Sequence, residues 1–271
     1  MNAIDQVFDT LRSQKRRAFM PFITAGDPDL NGTSSLIREL AKSGANLIEV
    51  GFPYSDPIAD GPTIQASYTR ALSKGITLEA IFRHFREQHS TNANGSSPPL
   101  VAMVSYALMM RRGLEKFLTD AQAAGFSGAI VPDLPLEEAD QLVKLARDRD
   151  FKLIFLVTPT TPLDRARRIA EMSTGFLYFV SITGITGERK ELPPELKSQI
   201  AALREATRIP ICVGFGISRP EHVRSLRDQV DGIIVGSALV RPLEQVGKKP
   251  LDQILAEIGQ TARGLSDALV T

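Results

Sequence analysis

Short apolar runs rich in β-branched residues recur along this chain of 271 residues and alternate with longer amphipathic segments. The candidate strands are residues 18–24, 47–51, 100–104, 128–131, 152–157, 176–181, 211–214 and 232–235. Apolar residues at helical spacing predict helices at residues 34–43, 114–124, 137–149, 163–172, 195–206 and 220–227. Such alternation indicates a parallel sheet covered by helices, because right-handed crossovers place a helix after each strand. Eight units in about 250 residues predict a closed (β/α)8 TIM barrel, and a doubly wound open sheet is the alternative.

The length would also allow two small domains, at roughly 100 to 200 residues per domain. Residues 92–99 are polar and rich in turn formers, as a linker would be. They directly precede a candidate strand, however, and we interpret them as a surface loop. We therefore predict a single domain over residues 1–271. Ile4, Val7, Phe8 and Leu11 predict an extra N-terminal helix that caps the bottom of the barrel.

Charge and cysteine content exclude several classes of function. Lys and Arg number 32 against 31 Asp and Glu, and this balance argues against nucleic acid or an anionic membrane surface as the main partner. No apolar run approaches the roughly 18 residues of a membrane helix, and the N-terminal stretch is unlike a signal peptide, so we expect a cytoplasmic protein. The single cysteine, Cys212, is interpreted as a buried inert thiol. His84 and His89 do not share a helix face, and His222 is expected on a helix surface, so no metal site is expected.

Two carboxylates stand out at the end of the barrel where catalytic residues collect. Glu49 is the only charged residue in the candidate strand 47–51, and burial there would raise its pKa into the range of general acid–base catalysis. A structural ion pair is the alternative interpretation. Asp60 lies in the proline-restricted loop 51–65 that follows, where it could serve only as a turn former. If the loop returns over the strand, both carboxylates face one pocket with separated roles.

Glycine turns follow the last two candidate strands, in residues 214–218 and at Gly236-Ser237. Glycine lets backbone N–H groups approach an anion closely, and barrels commonly hold phosphate at this place. We predict a phosphorylated ligand, with simple tight turns as the alternative. Residues 181–194, which follow the sixth candidate strand, contain two glycines, a charge cluster and Pro-Pro. They predict a lid over the site, with a solvated loop as the alternative.

Residues 49–65, together with 21–28, 214–218 and 236–237, closely resemble the tryptophan synthase α subunit family. The resemblance covers essentially the whole chain, and the run Pro-Tyr-Ser-Asp-Pro-Ile-Ala-Asp-Gly-Pro at 53–62 is highly specific. It implies a lyase of L-tryptophan biosynthesis that cleaves indole-3-glycerol phosphate to indole and D-glyceraldehyde 3-phosphate by a retro-aldol reaction, with no cofactor of its own. The catalytic glutamate and aspartate of the family fall on Glu49 and Asp60.

The resemblance also implies binding residues. The apolar walls of the indole pocket would be Phe22, Ile64 and Leu100. Phosphate would bind the backbone around Gly187, Gly216, Gly236 and Ser237, with Phe215 and Ile217 packed beside it. Thr186 in the predicted lid would position the catalytic aspartate.

A partner is implied as well: a β subunit that carries pyridoxal phosphate, in an α2β2 heterotetramer, and receives indole through a tunnel. The loop 53–61 and the loop of Asp133 would contact that subunit. The chain departs from the family pattern at Ser105 and Ala107, which stand where a tyrosine and an asparagine are usual. This departure puts substrate affinity, or coupling to the β subunit, in doubt.

Other functions stay open at this stage. One is a different phosphate-binding barrel such as a sugar-phosphate isomerase, although the fifth candidate strand ends without the carboxylate that such enzymes use. The others are a stand-alone indole-3-glycerol-phosphate lyase and a weakly active module that mainly activates the β subunit.

Overall fold

The computed structural model describes residues 1–57, 60–91, 97–181, 195–214 and 216–270. Within these ranges, nine strand segments are present: β1 Ala18–Thr24, β2 Ile48–Gly51, β3 Leu100–Met103, β4 Phe126–Ile130, β5 Lys152–Ile154, β6 Leu156–Val157, β7 Leu177–Val180, β8 Ile211–Gly214 and β9 Gly232–Val235. They are parallel and form one sheet, in the order β5-β4-β3-β2-β1-β9-β8-β7-β6. The prediction of a parallel barrel is confirmed.

The barrel has eight strand positions because β5 and β6 are two parts of one interrupted strand. Only Phe155 separates them; β5 pairs with β4, and β6 pairs with β7. The backbone N–H of Phe155 donates to the hydroxyl of Ser173 at 3.1 Å, so a side chain satisfies this donor at the interruption. The predicted strand 152–157 is therefore broken in its middle, and the chain itself bridges the two ends of the sheet.

Helices cover the outside of the sheet. They are α1 Ala3–Ser13, α2 Leu30–Lys42, α3 Pro62–Ser73, α4 Leu78–Thr91, α5 Tyr106–Arg112, α6 Leu114–Ala123, α7 Asp140–Asp148, α8 Leu163–Met172, α9 Leu196–Ala206, α10 Pro220–Leu226, α11 Ser237–Val240 and α12 Leu251–Asp267. In the described part of the chain, two 3-10 turns occupy Leu136–Glu138 and Arg241–Gln245. α8 matches its predicted range. α2 begins earlier than predicted because Asp29 caps it, accepting the backbone N–H of Gly32 at 2.7 Å.

The extra N-terminal helix is confirmed as α1. Its buried face consists of Ile4, Phe8 and Leu11, and the ring of Phe8 lies 5.8 Å from that of Phe176. Asp5 pairs with Lys152, the first residue of β5, at 2.6 Å. Because a parallel strand begins at the amino-terminal end of the barrel, α1 covers the face opposite to the predicted site.

Side chains of each strand alternate between two apolar clusters. The outer cluster lies between sheet and helices and includes Ile48 and Val50, whereas the inner cluster fills the barrel and includes Phe22 and Leu47. Successive strand residues point to opposite faces, so Glu49 points into the barrel.

The sequence predicts that Cys212 is buried and that His222 lies on a helix surface. Cys212 is fully buried in β8, as expected. His222 was expected on a helix surface, and this is wrong: its side chain is buried, and Nδ1 accepts the backbone N–H of Ser218 at 3.4 Å. The apolar side chains at Val223 and Leu226 turn this face of α10 inward, and His222 goes with them. Among the described residues, no helix is long and apolar enough to cross a membrane.

Candidate active site

Glu49 occupies the middle of β2, opposite Phe22 of β1 and Val101 of β3. Only 3% of the residue is exposed, and its Oε1 atom has no hydrogen-bond partner among the described residues. Burial raises the pKa of Glu49 to about 8, and the nearby charge of Asp60 adds to this increase. The structural ion pair considered for Glu49 is not found in the described part of the chain. Glu49 is therefore protonated at neutral pH and available as a proton donor.

Asp60 lies at the end of the loop after β2, just before α3 begins. Its backbone N–H donates to the carbonyl of Pro57 at 3.0 Å, and its own carbonyl accepts Nε2 of Gln65 at 2.7 Å. Only 6% of Asp60 is exposed, and burial raises its pKa to about 6. The two carboxylates are thus buried at the same end of the barrel, and they differ in protonation near pH 7.

Helix α3 is fastened to β1 and the loop that follows it. The hydroxyl of Ser67 donates to that of Thr24 at 2.5 Å. The guanidinium of Arg70 binds both carboxylate oxygens of Asp27, at 3.0 and 2.6 Å. Asp27 is almost fully buried, and a bidentate pair of this kind fixes orientation as well as distance. These contacts hold the helix that follows Asp60 in a defined position beside the barrel.

Phe22, Ile64 and Gly236 meet beside the strand of Glu49. A β carbon added at Gly236 would lie 3.6 Å from Phe22 Cβ and 3.8 Å from Ile64 Cδ1. A β carbon added at Gly51 would lie 2.5 Å from Phe22 Cζ. The structure therefore brings together two of the three predicted apolar wall residues, and the absence of side chains at these two glycines makes room for them.

Leu100 is not brought to this site. It is the first residue of β3, where it pairs with Ile48, and it lines a pocket with Ala3 and Gly125 at the opposite end of the barrel. The carboxyl end of β3 is Met103, which pairs with Gly51 and belongs to the inner cluster. A parallel strand presents only its last residues to the catalytic face, so the assignment of Leu100 as a pocket wall is wrong.

Two buried tyrosines were not singled out from the sequence. Tyr178 lies in β7, and a β carbon added at Gly214 would clash with its hydroxyl. Tyr68 lies in α3, with its hydroxyl 2.7 Å from the place of a β carbon on Gly51. Burial and the charges of the two carboxylates raise the pKa of each tyrosine well above its usual value. A usable sequence signal is the spacing of four residues between Ile64 and Tyr68, which places both on one helix face.

The predicted phosphate turns are adjacent because β8 and β9 pair with each other. Gly216 has a φ of +73°, a left-handed conformation that favours glycine, and Ile217 beside it is buried. Gly236 directly precedes Ser237, the first residue of α11. Three other predicted residues, Thr186, Gly187 and Phe215, lie outside the described residues, as does the predicted lid beyond Ser181. In the described part of the chain, no cluster of His, Cys, Asp and Glu could hold a metal ion.

The departures at Ser105 and Ala107 lie where β3 leads into α5. Ser105 is buried, and its hydroxyl donates to Asp133 Oδ2 at 3.0 Å, while the backbone N–H of Tyr106 donates to Oδ1 at 2.7 Å. Ala107 is exposed. Serine at position 105 thus joins the loops after β3 and β4 through one carboxylate.

The family model described as tryptophan synthase alpha chain matches residues 8–269. The tryptophan synthase alpha chain of Rhodopirellula baltica is 47% identical, with 99% of each chain covered. That of Rippkaea orientalis is 43% identical, over 99% of this chain and 98% of the relative.

Solved structures show the same likeness. Tryptophan synthase subunit alpha from Legionella pneumophila superposes with a TM-score of 0.88 at 33% identity, covering 100% of this chain and 99% of the other. A chain of the tryptophan synthase complex from Pyrococcus furiosus gives a TM-score of 0.81 at 35% identity, covering 92% and 98%. Two carboxylates are buried at one end of this barrel, and the relatives match it along nearly its whole length. This chain therefore belongs to the tryptophan synthase alpha chain family.

Proposed function

We propose that this chain acts as a tryptophan synthase α subunit and cleaves indole-3-glycerol phosphate to indole and D-glyceraldehyde 3-phosphate. The observation that carries the proposal is the pair of buried carboxylates with separated pKa values, about 8 for Glu49 and about 6 for Asp60. At neutral pH one is an acid and the other a base, as cleavage of this substrate requires.

Glu49 performs the proton transfers. It gives its proton to indole C3, which turns the ring into a leaving group for the bond between C3 and the glycerol side chain. The carboxylate then takes the proton of the hydroxyl next to that bond. As the O–H electrons form the aldehyde carbonyl, the carbon–carbon bond breaks and its electron pair returns to the indole ring. Glu49 ends protonated, and no external oxidant or reductant is needed.

Asp60 stabilises the ring while C3 is protonated. Its ionised carboxylate accepts the indole N–H, and its negative charge offsets the positive charge that develops on nitrogen in the indolenine tautomer. Because Asp60 is shielded from water, this interaction is stronger than it would be in an exposed pair.

Substrate binding follows from the surrounding residues. Phe22, Ile64 and Met103 form apolar walls for the indole ring. The phosphate binds backbone N–H groups of the two turns, at Gly216, Gly236 and Ser237, with Ile217 packed beside them. For Gly187, Phe215 and Thr186 we retain the predicted roles in phosphate binding and in a lid that positions Asp60.

We further propose a β subunit as the partner, in an α2β2 heterotetramer, with pyridoxal phosphate in the β subunit and no cofactor in this chain. Support comes from the solved relatives, one of which is a chain of a tryptophan synthase complex. The contacts would come from the loop 53–61 and the loop of Asp133. We also propose that residues 1–271 form one domain and that the protein is cytoplasmic.

The test is indole release from indole-3-glycerol phosphate by the chain alone and with a β subunit. Glu49→Gln and Asp60→Asn should each lower the rate by about 10²-fold or more while circular dichroism stays unchanged. Cleavage that rises with added β subunit supports the proposal, and near-normal activity of either variant contradicts it. Activation of the β subunit without cleavage would indicate the activating module. High activity that is indifferent to the β subunit would indicate a stand-alone lyase.

A further inference from the structure

His222 is buried beside the first of the two predicted phosphate turns. The residue is 5% exposed, and its Nδ1 atom accepts the backbone N–H of Ser218 at 3.4 Å. Ser218 ends the glycine turn 214–218, which leads from β8 into α10. The backbone of His222 is held as well, because its N–H donates to the carbonyl of Arg219 at 3.1 Å and its carbonyl accepts the hydroxyl of Ser225 at 2.8 Å. The imidazole therefore connects helix α10 to the turn.

The position of His222 in α10 explains this contact. The helix begins with Pro220 after the N-cap residue Arg219, whose side chain makes no capping hydrogen bond. His222 is the third residue of the helix, and from this position a side chain can reach back to backbone N–H groups at the helix start, as a glutamate does in a capping box. Here the side chain binds the N–H of Ser218, one residue before the N-cap. A neutral imidazole that accepts at Nδ1 carries its proton on Nε2, so the contact also specifies the tautomer.

The three successive N–H groups of the turn differ in their partners. That of Ser218 is bonded to His222, whereas no described residue accepts a hydrogen bond from the N–H of Gly216 or of Ile217. Gly216 has a φ of +73°, and the side chain of Ile217 is buried in the outer cluster. Successive backbone N–H groups in such a turn are suited to bind an anion. Two donors of the turn thus remain for a ligand.

We propose that His222 is a positioning residue for phosphate binding: its Nδ1 atom holds the Ser218 end of the turn and thereby directs the N–H groups of Gly216 and Ile217 toward the phosphate. The effect on catalysis rests on the proposed function, whereas the hydrogen bond itself does not. Val223, the neighbour of His222 on α10, belongs to the outer apolar cluster. In such surroundings a buried N–H that loses its acceptor is left unpaired, so the turn would have to move.

The exact place of this turn matters because a second turn has to bind the same phosphate. Strands β8 and β9 pair with each other, and Gly236 follows β9 directly before Ser237, the first residue of α11. Hydrogen bonds weaken steeply with distance and angle. A displacement of the first turn therefore weakens the grip of both turns on one anion.

Amide hydrogen exchange in wild type tests the hydrogen bond directly. Without ligand, and after correction for intrinsic rates, the Ser218 amide should exchange about tenfold or more slowly than the amides of Gly216 and Ile217, because only the Ser218 amide is hydrogen-bonded. Addition of sn-glycerol 3-phosphate, a stable phosphate monoester, should then slow the exchange of Gly216 and Ile217. This measurement needs no variant, so it holds even if a substitution of His222 impairs folding.

Two variants separate the acceptor atom from the rest of the imidazole. Asparagine has Oδ1 where histidine has Nδ1, whereas leucine branches at the same carbon and has no acceptor. His222→Leu should weaken the binding of sn-glycerol 3-phosphate by about tenfold, because a buried N–H loses its partner. His222→Asn should stay within about threefold of wild type.

The kinetics of indole release distinguish positioning from a general loss of structure. In His222→Leu, KM for indole-3-glycerol phosphate should rise by about tenfold while kcat stays within about twofold, because the phosphate is held equally in the ground state and the transition state. A merely structural defect would lower the fraction of folded protein, so it would reduce the apparent kcat and leave KM unchanged.

Ser225→Ala is the matched control. It removes an exposed hydroxyl that bonds the backbone of His222 and leaves the imidazole in place, so binding should equal that of wild type. Three results would overturn the inference: a Ser218 amide that exchanges as fast as that of Gly216, unchanged binding in His222→Leu, or an equal loss in His222→Asn and His222→Leu. Wild type that binds no sn-glycerol 3-phosphate would refute the phosphate site itself, and with it this inference. If binding depends on His222 as expected but indole-3-glycerol phosphate is not cleaved, the proposed function fails and the inference stands.

Discussion

Gln65 holds the backbone of Asp60: its side-chain Nε2 donates to the Asp60 carbonyl at 2.7 Å and to the Pro57 carbonyl at 3.3 Å. The donor lies on the first turn of α3, so this helix holds the end of the loop that carries Asp60. The sequence places Gln65 in the most distinctive run of the chain, but only the folded loop shows which carbonyls it reaches.

Replacing Gln65 by alanine should release this loop end. We expect kcat to fall by about 10-fold or more with a smaller change in KM, because a displacement of roughly 1 Å at a catalytic group can cost 10²-fold. Steady-state kinetics of indole release measure the effect. Thr69→Ala is the matched control, since Thr69 is exposed one turn later on the same helix and donates only to the Gln65 carbonyl. Equal kinetics for the two variants would refute the role given to Gln65.

Gly51→Ala tests the tight packing over β2. The added methyl would lie 2.5 Å from Phe22 Cζ and 2.7 Å from the Tyr68 hydroxyl, so both neighbours must move. Overpacking of this kind costs about 1–3 kcal/mol in the free energy of unfolding, which urea titration measures. In contrast, Gly264→Ala on α12, where nothing lies within 4 Å of the new methyl, should leave stability unchanged or raise it by up to about 1 kcal/mol. A destabilised Gly264→Ala with a normal Gly51→Ala would contradict this account.

The pH dependence of kcat/KM should be bell-shaped. Cleavage needs ionised Asp60 and protonated Glu49 in the free protein, so kcat/KM rises with pH through about 6 and falls through about 8. Rates measured from pH 5 to 9 at substrate concentrations well below KM test this. An optimum well outside this window, or activity that keeps rising above pH 9, would show that the two carboxylates do not hold the assigned protonation states.

The raised pKa of Glu49 also makes stability depend on pH. The folded state binds the Glu49 proton more tightly than the unfolded chain, in which the pKa of this group is 4.5. The stabilisation from protonated Glu49 is therefore complete below pH 4.5, and it is lost progressively as the pH rises to about 8. Glu49→Gln cannot ionise. Between pH 5 and 9, its free energy of unfolding should therefore decline less than that of wild type. The difference should be a few kcal/mol, because each unit of pKa shift corresponds to about 1.4 kcal/mol. Parallel urea-derived stability curves for the two proteins would contradict the burial argument.

The sequence by itself determined the barrel architecture and the two carboxylates of the candidate site. Strand-like runs that alternate with amphipathic helices permit few folds besides a parallel barrel, because each crossover must return on the same side. A lone carboxylate in an apolar strand, as at Glu49, and Asp60 in a proline-restricted run are local signals. Their direction follows from the two-residue period of a strand and from loop stiffness, which short stretches of sequence encode.

Only the tertiary structure decided which residues lie around those two carboxylates. Strand register places Met103, and not Leu100, at the carboxyl end of β3, three residues further along the strand. Packing of α3 on the barrel brought the Tyr68 hydroxyl beside Gly51, and packing of α10 buried His222. These outcomes depend on contacts between residues far apart in the chain. Such contacts are set by the register of each strand and the rotation of each helix, which the periodicity of the sequence does not specify. The helical and strand periods determine which face a residue occupies, and the folded barrel alone determines what that face touches.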